Sequence, residues 1–462
     1  MSCFRSFTTP QIKLIHKGKV RDSYSLNSNE RMIAVTDRVS AFDMVLNTPI
    51  PKKGAVLNGI ANFWFNKTSS IIENHLIKEI DPNISIVKEV TPVKIEMIVR
   101  GYLTGSMWRY YQQGKRNFSG VSVGEGLTKN MKFDKPILTP TTKEDSDREI
   151  TKEEIIATGL ASKELYESIA EVALKLYDFG AKYLHKKGII LVDTKYEFGL
   201  LNNKLILIDE IHTPDSSRFW RVSDYQSNTE TAEQIDKEFL RQWLIENKTD
   251  GQYRKDLPQV IVDETSKRYL EIYELITGHP LQVNAEEEVN ARIYRNLVRH
   301  SIIKEGFVTL IMGSEGDLPH AEKIKSFLEP YDIFTQMRIV SAHKNGEDII
   351  PIADELNNSI EPGAVIAIAG RSNGLGGALS ANLNIPVINC PPFKDSSDIM
   401  LNINSSLMMP SAAPAMTVIH PDNAAAAALR CLNIPTIRLQ LSSAIREVKS
   451  GLRESDNKFR KL

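Results

Sequence analysis

The chain has few cysteines, no excess of charge of either sign and no apolar run long enough to cross a membrane. Its 462 residues include only Cys3, Cys390 and Cys431, which lie far apart and form no C-x-x-C pair. This usage argues against a disulfide-stabilised scaffold and against a zinc site. With 57 basic and 58 acidic residues, the net charge provides no general attraction to nucleic acid or to a membrane surface.

The first residues of the sequence also lack the apolar core of a secretory signal, and the longest apolar runs have the length of strands. We therefore expect a protein of the reducing cytosol, with neither nucleic acid nor a membrane among its partners. The chain is too long for one ordinary core, and 42% hydrophobic with 25% charged residues is typical of a soluble globular protein. Two or three domains are expected.

Two kinds of sequence meet near residue 300. Over residues 1–282, short β-like runs such as "KIEMIVRGY" and "KLILIDEIH" alternate with helical patterns, including one over 163–185, which predicts an α+β domain with antiparallel pairing. The charged, periodic stretch 283–306 predicts a connecting helix, with a buried core helix as the alternative. Over 307–462, apolar strands alternate with helices, which predicts an α/β domain with a parallel sheet.

Three polar clusters, "GSEGD", "SAHK" and "GRSNGLGG", follow predicted strands of the second domain, and ligands bind at the carboxyl ends of parallel strands. Ser314 and Asp317 lie at a strand-to-helix turn that suits a phosphate or ribose, although capping of the helix would explain them as well. His343 could move a proton near neutral pH, and Lys344 could hold a phosphate or a carboxylate. A lone histidine at a strand end could also be structural.

The glycines of "AIAGRSNGLGG" do not have the spacing of a dinucleotide-binding turn. After Gly374 and Gly376 the third glycine follows at once, and no ribose-binding acid stands in a regular position downstream. Crowding by Arg371, Ser372 and Asn373 instead indicates a small anionic ligand.

In combination, "IMGSEGD", "VSAHK", "AIAGRSNGLG" and "PVINCPP" resemble the aminoimidazole ribonucleotide carboxylases, specifically the class that uses carbon dioxide directly. The resemblance implies a three-layer α/β/α sandwich, a homo-octamer formed through this domain, and no cofactor. It implies that Ser314 and Asp317 contact the nucleotide and that His343 moves the proton on imidazole C4. The residues it places around the phosphate and the incoming carboxyl group, with catalytic roles for Lys344 and Ser372, are Ser341, Lys344, Arg371, Ser372, Asn373 and Gly374. Gly316 stands where the family usually has a second serine.

Charged residues of the first domain concentrate on predicted strands. In "HKGKVRDSY", Lys19 and Arg21 follow Gly18 on one strand face, where they could cradle a triphosphate or form a solvated edge strand. Strand alternation also sends every second residue of "DTKYE" to one face. These residues are Asp193, Lys195 and Glu197.

The run "KLILIDEIHTPDSSRFW" then adds Asp209, Glu210, Asp215 and Arg218. Carboxylates on adjacent strands suit Mg²⁺ held together with phosphate oxygens, with a salt-bridged sheet face as the alternative.

The motifs "GKVRDSY", "TDRVSAFD", "IPKKG", "VRGYLTGS", "DTKYEFG" and "DEIHTPDSSRFW" resemble the phosphoribosylaminoimidazole-succinocarboxamide synthases over residues 11–280. The resemblance implies a two-lobed fold of the ATP-grasp or kinase-like kind and ATP-driven amide formation between a carboxylated imidazole ribonucleotide and L-aspartate. One departure is Ser146, where the family often has histidine.

The same resemblance implies a role for each of the charged residues. Lys19 and Arg21 would meet the ATP phosphates, with Glu197 and Asp209 on Mg²⁺. Lys195 and Asp209 would be catalytic. The nucleotide would be held by Arg100, Ser106, Asp193, Asp215 and Arg218.

Together the two resemblances imply a bifunctional enzyme of de novo purine synthesis, of the fused kind found in animals, because the product of the carboxylase is the substrate of the synthase. It would be an ATP-dependent carboxylate-amine ligase and a carboxy-lyase, acting on ATP, L-aspartate, imidazole ribonucleotides and CO₂. One alternative is an active synthase with a non-catalytic carboxylase-like domain that serves oligomerisation. A second is a nucleotide-sensing protein without chemistry.

Overall fold

A computed structural model of the chain describes residues 3–42, 44–144, 148–229, 232, 235, 238–284, 287–370, 373–393 and 396–460. The chain divides into two compact units. The first contains Met1–Ser6 and Leu14–Ile293, and the second contains Phe7–Lys13 and Tyr294–Leu462. None of the described helices combines the length and the apolar composition that a transmembrane segment needs.

The first unit contains the strands and helices up to the start of α8. Its strands are β1 (Lys13–Lys17), β2 (Arg21–Ser25), β3 (Glu30–Val35), β4 (Ser40–Ala41), β5 (Met44–Val45), β6 (Leu76–Asp81), β7 (Ile84–Lys88), β8 (Thr91–Tyr102), β9 (Asn117–Phe118), β10 (Val121–Ser122), β11 (Lys132–Leu138), β12 (Thr141–Thr142), β13 (Ile189–Leu201), β14 (Lys204–Ile208) and β15 (Ser217–Arg221). Its helices are α1 (Lys53–Lys67), α2 (Gly105–Gln112), α3 (Lys152–Ala157), α4 (Lys163–His185), α5 (Val222–Ser227), α6 (Glu238–Glu246), α7 (Gln259–Thr277) and the first residues of α8 (Val289–Arg299).

Two larger sheets form the body of the first unit. The first has the strand order β1-β2-β3-β7-β6, and the second has the order β11-β8-β13-β14, with β12 also paired to β8 and β15 to β13. The pairs β2–β3, β3–β7, β8–β13 and β13–β14 are antiparallel, as predicted.

Strand β13 and helix α4 show how the sequence builds this unit. The helix occupies the predicted range, and the Ser162 side chain caps it by accepting a hydrogen bond from the backbone N–H of Leu165. Its buried face carries Ile169 and Leu176, which join Tyr196 and Phe198 of β13 in the main core. Asp193, Lys195 and Glu197, which alternate with these two aromatic residues along the strand, therefore remain available for a polar face.

The second unit has strands β16 (Phe307–Met312), β17 (Phe334–Ile339), β18 (Gly363–Ile368), β19 (Val387–Asn389) and β20 (Met416–Thr417). Its helices after α8 are α9 (Leu318–Leu328), α10 (Ile349–Asn357), α11 (Gly374–Asn382), α12 (Ser396–Leu407), α13 (Pro421–Leu432) and α14 (Pro435–Phe459). The sheet has the order β17-β16-β18-β19-β20 and all its pairs are parallel, which confirms the predicted parallel sheet.

Separate apolar cores cover the two faces of this parallel sheet. Val308 and Leu310 of β16 pack with residues of α9 and α13 on one face. Phe307 and Ile311, which alternate with them along the strand, pack with residues of α10 and α11 on the other. Burial on both faces explains why β16 and β18 are apolar at nearly every position.

Close packing at the start of β18 requires glycine. A Cβ added at Gly363 would lie 2.0 Å from Cζ of Phe307, whose ring fills that face of the sheet. Because strand backbone and a buried ring bound the space, neither can move away easily.

We expect Gly363→Ala to destabilise the second unit by about 1–3 kcal/mol, the usual cost of overpacking a core. The measurement is urea denaturation followed by circular dichroism. The tryptophans lie in the first unit, so tryptophan fluorescence should show a much smaller shift. Gly451→Ala on α14, where a Cβ meets open space, is the control. Equal midpoints for parent and Gly363→Ala would contradict this account of the packing.

Two histidines of the first unit are buried as neutral side chains. Burial lowers the pKa of His75 from 6.5 to about 4 and that of His212 to about 3. The Nε2 of His212 lies 2.5 Å from the hydroxyl of Tyr196. In the unfolded chain both rings would bind a proton near pH 6.5.

The first unit should therefore lose stability as the pH falls from about 6.5 to about 4, because over this range unfolded His75 binds a proton that the folded protein excludes. In His75→Asn this loss should be less steep. Urea midpoints measured by tryptophan fluorescence across the pH range provide the test, with the exposed His185→Asn as control. Parallel pH profiles for His75→Asn and the parent would refute the prediction.

Candidate active sites

An aspartate between two arginines marks the polar face of the second sheet in the first unit. Asp193 of β13 lies opposite Arg100 of β8 and opposite Arg218 of β15 in the strand register. Nη1 of Arg100 lies 3.1 Å from Oδ2 of Asp193, and Nη1 of Arg218 contacts the same oxygen. A carboxylate shared by two guanidinium groups fixes their direction and leaves a net positive charge.

Two residues further along β13, a lysine bridges two glutamates. Nζ of Lys195 lies 2.6 Å from Oε1 of Glu96 and 2.6 Å from Oε1 of Glu197. Lys143 contacts the other oxygen of Glu197. Asp193, Lys195 and Glu197 thus share one sheet face, while Tyr196 between them is buried in the core.

The loop after β14 brings further carboxylates to this face. Asp209 has a left-handed backbone conformation with φ of 68°, which is uncommon for a residue with a side chain and is found often at functional sites. Arg21 of β2 donates hydrogen bonds to Asp209 and to Glu210. Asp209 also lies close enough to Glu197 for each carboxyl group to affect the pKa of the other.

The pKa values of these neighbouring carboxylates move apart. Burial raises the pKa of Glu197, and the charge of Asp209 adds to this effect. Burial acts in the same direction on Asp209, but Arg21, Lys195 and Lys143 outweigh it and hold the pKa of Asp209 below its ordinary value. Glu197 and Asp209 are therefore neighbours, and of the two it is Asp209 that stays ionised.

A cavity of about 140 Å³ opens beside the arginine pair. The Asp215 carboxylate in its wall is held from behind, with 2.7 Å to Nζ of Lys53 and 2.7 Å to the hydroxyl of Tyr269. Lys53 is fully buried at the start of α1. The charged residues that line the cavity are Arg100, Asp193, Lys195, Asp215, Arg218 and Arg241.

Two predicted site residues of this unit, Lys19 and Ser106, do not lie on the strands that form the polar face. Lys19 is in the turn between β1 and β2, so the expectation that it shares a strand face with Arg21 is wrong. Four residues reverse the chain here because the backbone N–H of Gly18 donates to the carbonyl of Arg21 at 2.8 Å. Ser106 is the second residue of α2, and Gly105 before it lies against the guanidinium of Arg218.

Five residues of this cluster escaped the sequence analysis, four of them charged and one a tyrosine. They are Glu96, Lys143, Lys53, Tyr269 and Arg241. Glu96 and Arg100 share a face of β8 by simple alternation, so that pair could have been found in "KIEMIVRGY". The others come from distant segments and no local pattern reveals them.

In the second unit, three strand ends lie side by side. Met312 at the end of β16 pairs with Ile339 of β17 and with Ile368 of β18. Just beyond β16, Asp317 accepts hydrogen bonds from the backbone N–H of Ser314 at 3.0 Å and from its hydroxyl at 3.1 Å. The capping arrangement anticipated as an alternative is therefore present, and it holds Asp317 beside the strand end.

The turn after β17 meets the loop after β18. A Cβ added at Gly374 would lie 2.8 Å from Cε1 of His343, so the imidazole rests directly on that glycine. The backbone N–H of Lys344 donates to the carbonyl of Ser341 at 3.1 Å and closes the turn. The side chains of His343 and Lys344 are exposed in the single chain.

Both polar atoms of the Asn373 side chain form hydrogen bonds within the second unit. Its Oδ1 caps α11 by accepting from the backbone N–H of Gly376 at 3.0 Å, and its Nδ2 donates to the hydroxyl of Ser406 at 3.0 Å. The predicted ligands Arg371 and Ser372, like the departure at Ser146, lie outside the described residues. Within the described part of the chain, no three acidic, histidine or cysteine side chains cluster as a metal site would require.

Comparisons with known proteins agree with both units. The family model SAICAR synthetase matches residues 14–259, and the model AIR carboxylase matches residues 307–454. A phosphoribosylaminoimidazole-succinocarboxamide synthase of Azobacteroides pseudotrichonymphae is 44% identical over 299 residues, which are 63% of this chain and 93% of that protein. The one of Bacteroides fragilis is 42% identical over 63% of this chain and 96% of its own length.

A solved structure of the SAICAR synthase of Saccharomyces cerevisiae, complexed with SAICAR, matches with a TM-score of 0.55 and 36% identity over 60% of this chain and all of that one. Both resemblances found in the sequence are thereby confirmed. The chain belongs to the SAICAR synthetase family and carries an AIR carboxylase domain behind the synthetase domain, so that one polypeptide joins the ligase and carboxylase activities of purine biosynthesis.

Proposed function

We propose that the two activities use two separate sites, the carboxylate and cation cluster around Asp209 in the first unit and the strand ends around His343 in the second. The observation that carries the first assignment is the meeting of Glu197 and Asp209 amid Arg21, Lys195 and Lys143. Phosphoryl transfer needs positive charge around the transferred group. This cluster provides it beside two hard oxygen donors.

Lys19 and Arg21 would contact the phosphates of ATP, and Glu197 and Asp209 would hold Mg²⁺. The donor set fits this ion, because Mg²⁺ is bound through one or two carboxylates while phosphate and water complete its shell. When bound, the ion would neutralise charge on the phosphate oxygens. The two sheets, with Arg21 on the first and Glu197 on the second, support the two-lobed kinase-like or ATP-grasp arrangement expected for such a site.

Arg100, Arg218 and Ser106 would bind the phosphate of the carboxylated imidazole nucleotide, and Asp193 would hold both guanidinium groups in place. A carboxylate oxygen of the nucleotide forms a bond to the γ-phosphorus of ATP while the bond to ADP breaks. The amine of L-aspartate then attacks the acyl phosphate, loses a proton and displaces phosphate. Lys195 would stabilise the charge on the transferred group.

In the second unit, imidazole C4 forms a bond to the carbon of CO₂ and passes its proton to His343. Lys344, Arg371 and Ser372 would surround the phosphate and the new carboxylate. We propose no cofactor for this step. The contact between His343 and Gly374 supports the assignment because it joins two of the three predicted clusters.

For the chain as a whole, we assign residues 1–282 to the synthase domain, 283–306 to a helical linker and 307–462 to the carboxylase domain with its helical tail, and place the enzyme in the cytosol. An active synthase with a silent carboxylase fold is disfavoured because both family models match. His343 and Lys344 also remain exposed at the strand ends.

Separate variants should uncouple the two activities. Glu197→Ala should reduce amide formation by at least about 100-fold because it removes half of the charged oxygen pair, and His343→Ala should reduce carboxylation by about 10²–10⁴-fold through loss of the base. Each variant should keep the other activity, which reports folding. ADP release and consumption of aminoimidazole ribonucleotide are the two assays.

The exposed Glu171→Ala and His300→Ala are the matched controls. Full carboxylation by His343→Ala would remove the assignment of the second site. Full amide formation by Glu197→Ala would remove that of the first.

We further propose that the chain forms a homo-octamer and that α14 contributes to its interfaces. Ile437 and Leu441 at the start of this helix are buried on the second unit. The same helical stripe continues through Ile445, Val448 and Leu452, and Val448 and Leu452 are 65% and 67% exposed. An apolar stripe that continues past its own core is typical of a surface covered by a partner.

We expect the double variant Val448→Glu with Leu452→Glu to lower the assembly mass, because charge on the stripe opposes its burial. Multi-angle light scattering measures the mass. Ser450→Glu, on the opposite side of the helix, should leave it unchanged. An unaltered mass in the double variant would show that this stripe is not an interface.

A further inference from the structure

Each carbonyl oxygen of the turn Gly18–Arg21, which connects β1 and β2, accepts a hydrogen bond from a donor of the protein. The carbonyls of Gly18 and Lys19 accept hydrogen bonds from Arg38 at 3.0 and 3.2 Å. The carbonyl of Val20 accepts from the hydroxyl of Thr36 at 2.7 Å, and that of Arg21 accepts from the N–H of Gly18 at 2.8 Å. Four successive carbonyl dipoles are thus directed at donors of the protein.

Arg38 is the residue that organises this turn. Besides the two turn carbonyls, its guanidinium donates to the carbonyl of Arg5 at 2.7 Å and to both carboxylate oxygens of Asp22 at 2.7 and 3.1 Å. The side chain of Asp22 is 1% exposed, so the fork of Arg38 has a fixed direction. A lysine could keep the charge opposite Asp22 but could not reproduce this planar set of bonds.

Carbonyl oxygens repel phosphate, and a flexible turn beside a triphosphate would expose some of them to it. Holding the carbonyls of Gly18 and Lys19 on Arg38 removes this repulsion and fixes the point from which the Lys19 side chain extends. Preorganised groups of this kind cost no ordering when the ligand binds.

We propose that Arg38 is a positioning residue for the nucleoside triphosphate, which acts on its phosphates through the turn Gly18–Arg21. The proposal rests on the proposed ATP site. Arg38 itself would not touch the phosphates. Its competing role is purely structural, as the partner of buried Asp22, and that role predicts lower stability without a selective effect on ATP.

The test is steady-state kinetics of Arg38→Lys in the full chain. We expect KM for ATP to rise about tenfold, the order of a lost charged hydrogen-bond set, while kcat and the KM values for L-aspartate and the nucleotide change little. Carboxylation by the second unit and the urea midpoint monitor folding. Arg31→Lys is the matched control, because Arg31 makes a two-bond pair with Glu89 in the same sheet and touches no carbonyl of the turn.

Two further variants separate failure of this proposal from failure of the ATP site. Lys19→Met should also raise KM for ATP, and the double variant of Lys19→Met with Arg38→Lys should raise it by less than the product of the single effects, because both act through one turn. If Lys19→Met raises KM for ATP and Arg38→Lys does not, the positioning role is wrong and the ATP site stands. If Lys19→Met has no effect, the phosphate assignment of the turn is wrong. Equal rises in the KM values of all three substrates for Arg38→Lys would leave Arg38 with a structural role only.

Discussion

The two-residue period of side chains along β13 is the constraint on which the first site depends. Tyr196 and Phe198 enter the main core, and this burial decides which way the strand faces. Lys195 and Glu197 must then lie on the opposite face, together with Asp193. A slip of one residue would turn three charged side chains into the apolar core and move the aromatic side chains onto the polar face. The stability of the core and the geometry of the site therefore require the same register.

Charge compensation then arranges the site on that face. Asp193 lies between two arginines, Lys195 lies between two glutamates, and Arg21 lies between two acids of the loop after β14. Each buried charge has an opposite neighbour, which is the condition for keeping it ionised in the protein interior. A bound triphosphate would therefore meet cations that are already in position, and its metal would meet carboxylates that are already in position. To contact these ligands, the same side chains would have to give up some of their present ion pairs.

In the second unit, the geometry of the parallel sheet positions the site. Parallel strands in register bring their carboxyl ends to one edge, and the loops that follow β16, β17 and β18 meet there. His343 and Lys344 of this site are exposed in the single chain, and the apolar stripe of α14 continues beyond its own core. Most charged side chains of the first site are buried or half-buried within the single chain, whereas these two side chains of the second site face solvent.

Much of this molecule could be predicted from its sequence because the relevant signals are local. Period-two alternation placed Asp193, Lys195 and Glu197 on one face, helical spacing located α4, and apolar strands alternating with helices predicted the parallel sheet and the edge where His343 lies. The two family resemblances rested on such local motifs as well.

What only the tertiary structure decided were contacts between distant segments, since sequence periodicity contains no information about them. Lys53 reaches Asp215, Lys143 reaches Glu197, Lys19 lies in a turn instead of a strand, Asn373 turns inward to cap a helix, and Arg38 holds the turn of Gly18. Each of these depends on which side chains can satisfy a buried charge or carbonyl once the chain has folded, and that is settled by packing in three dimensions.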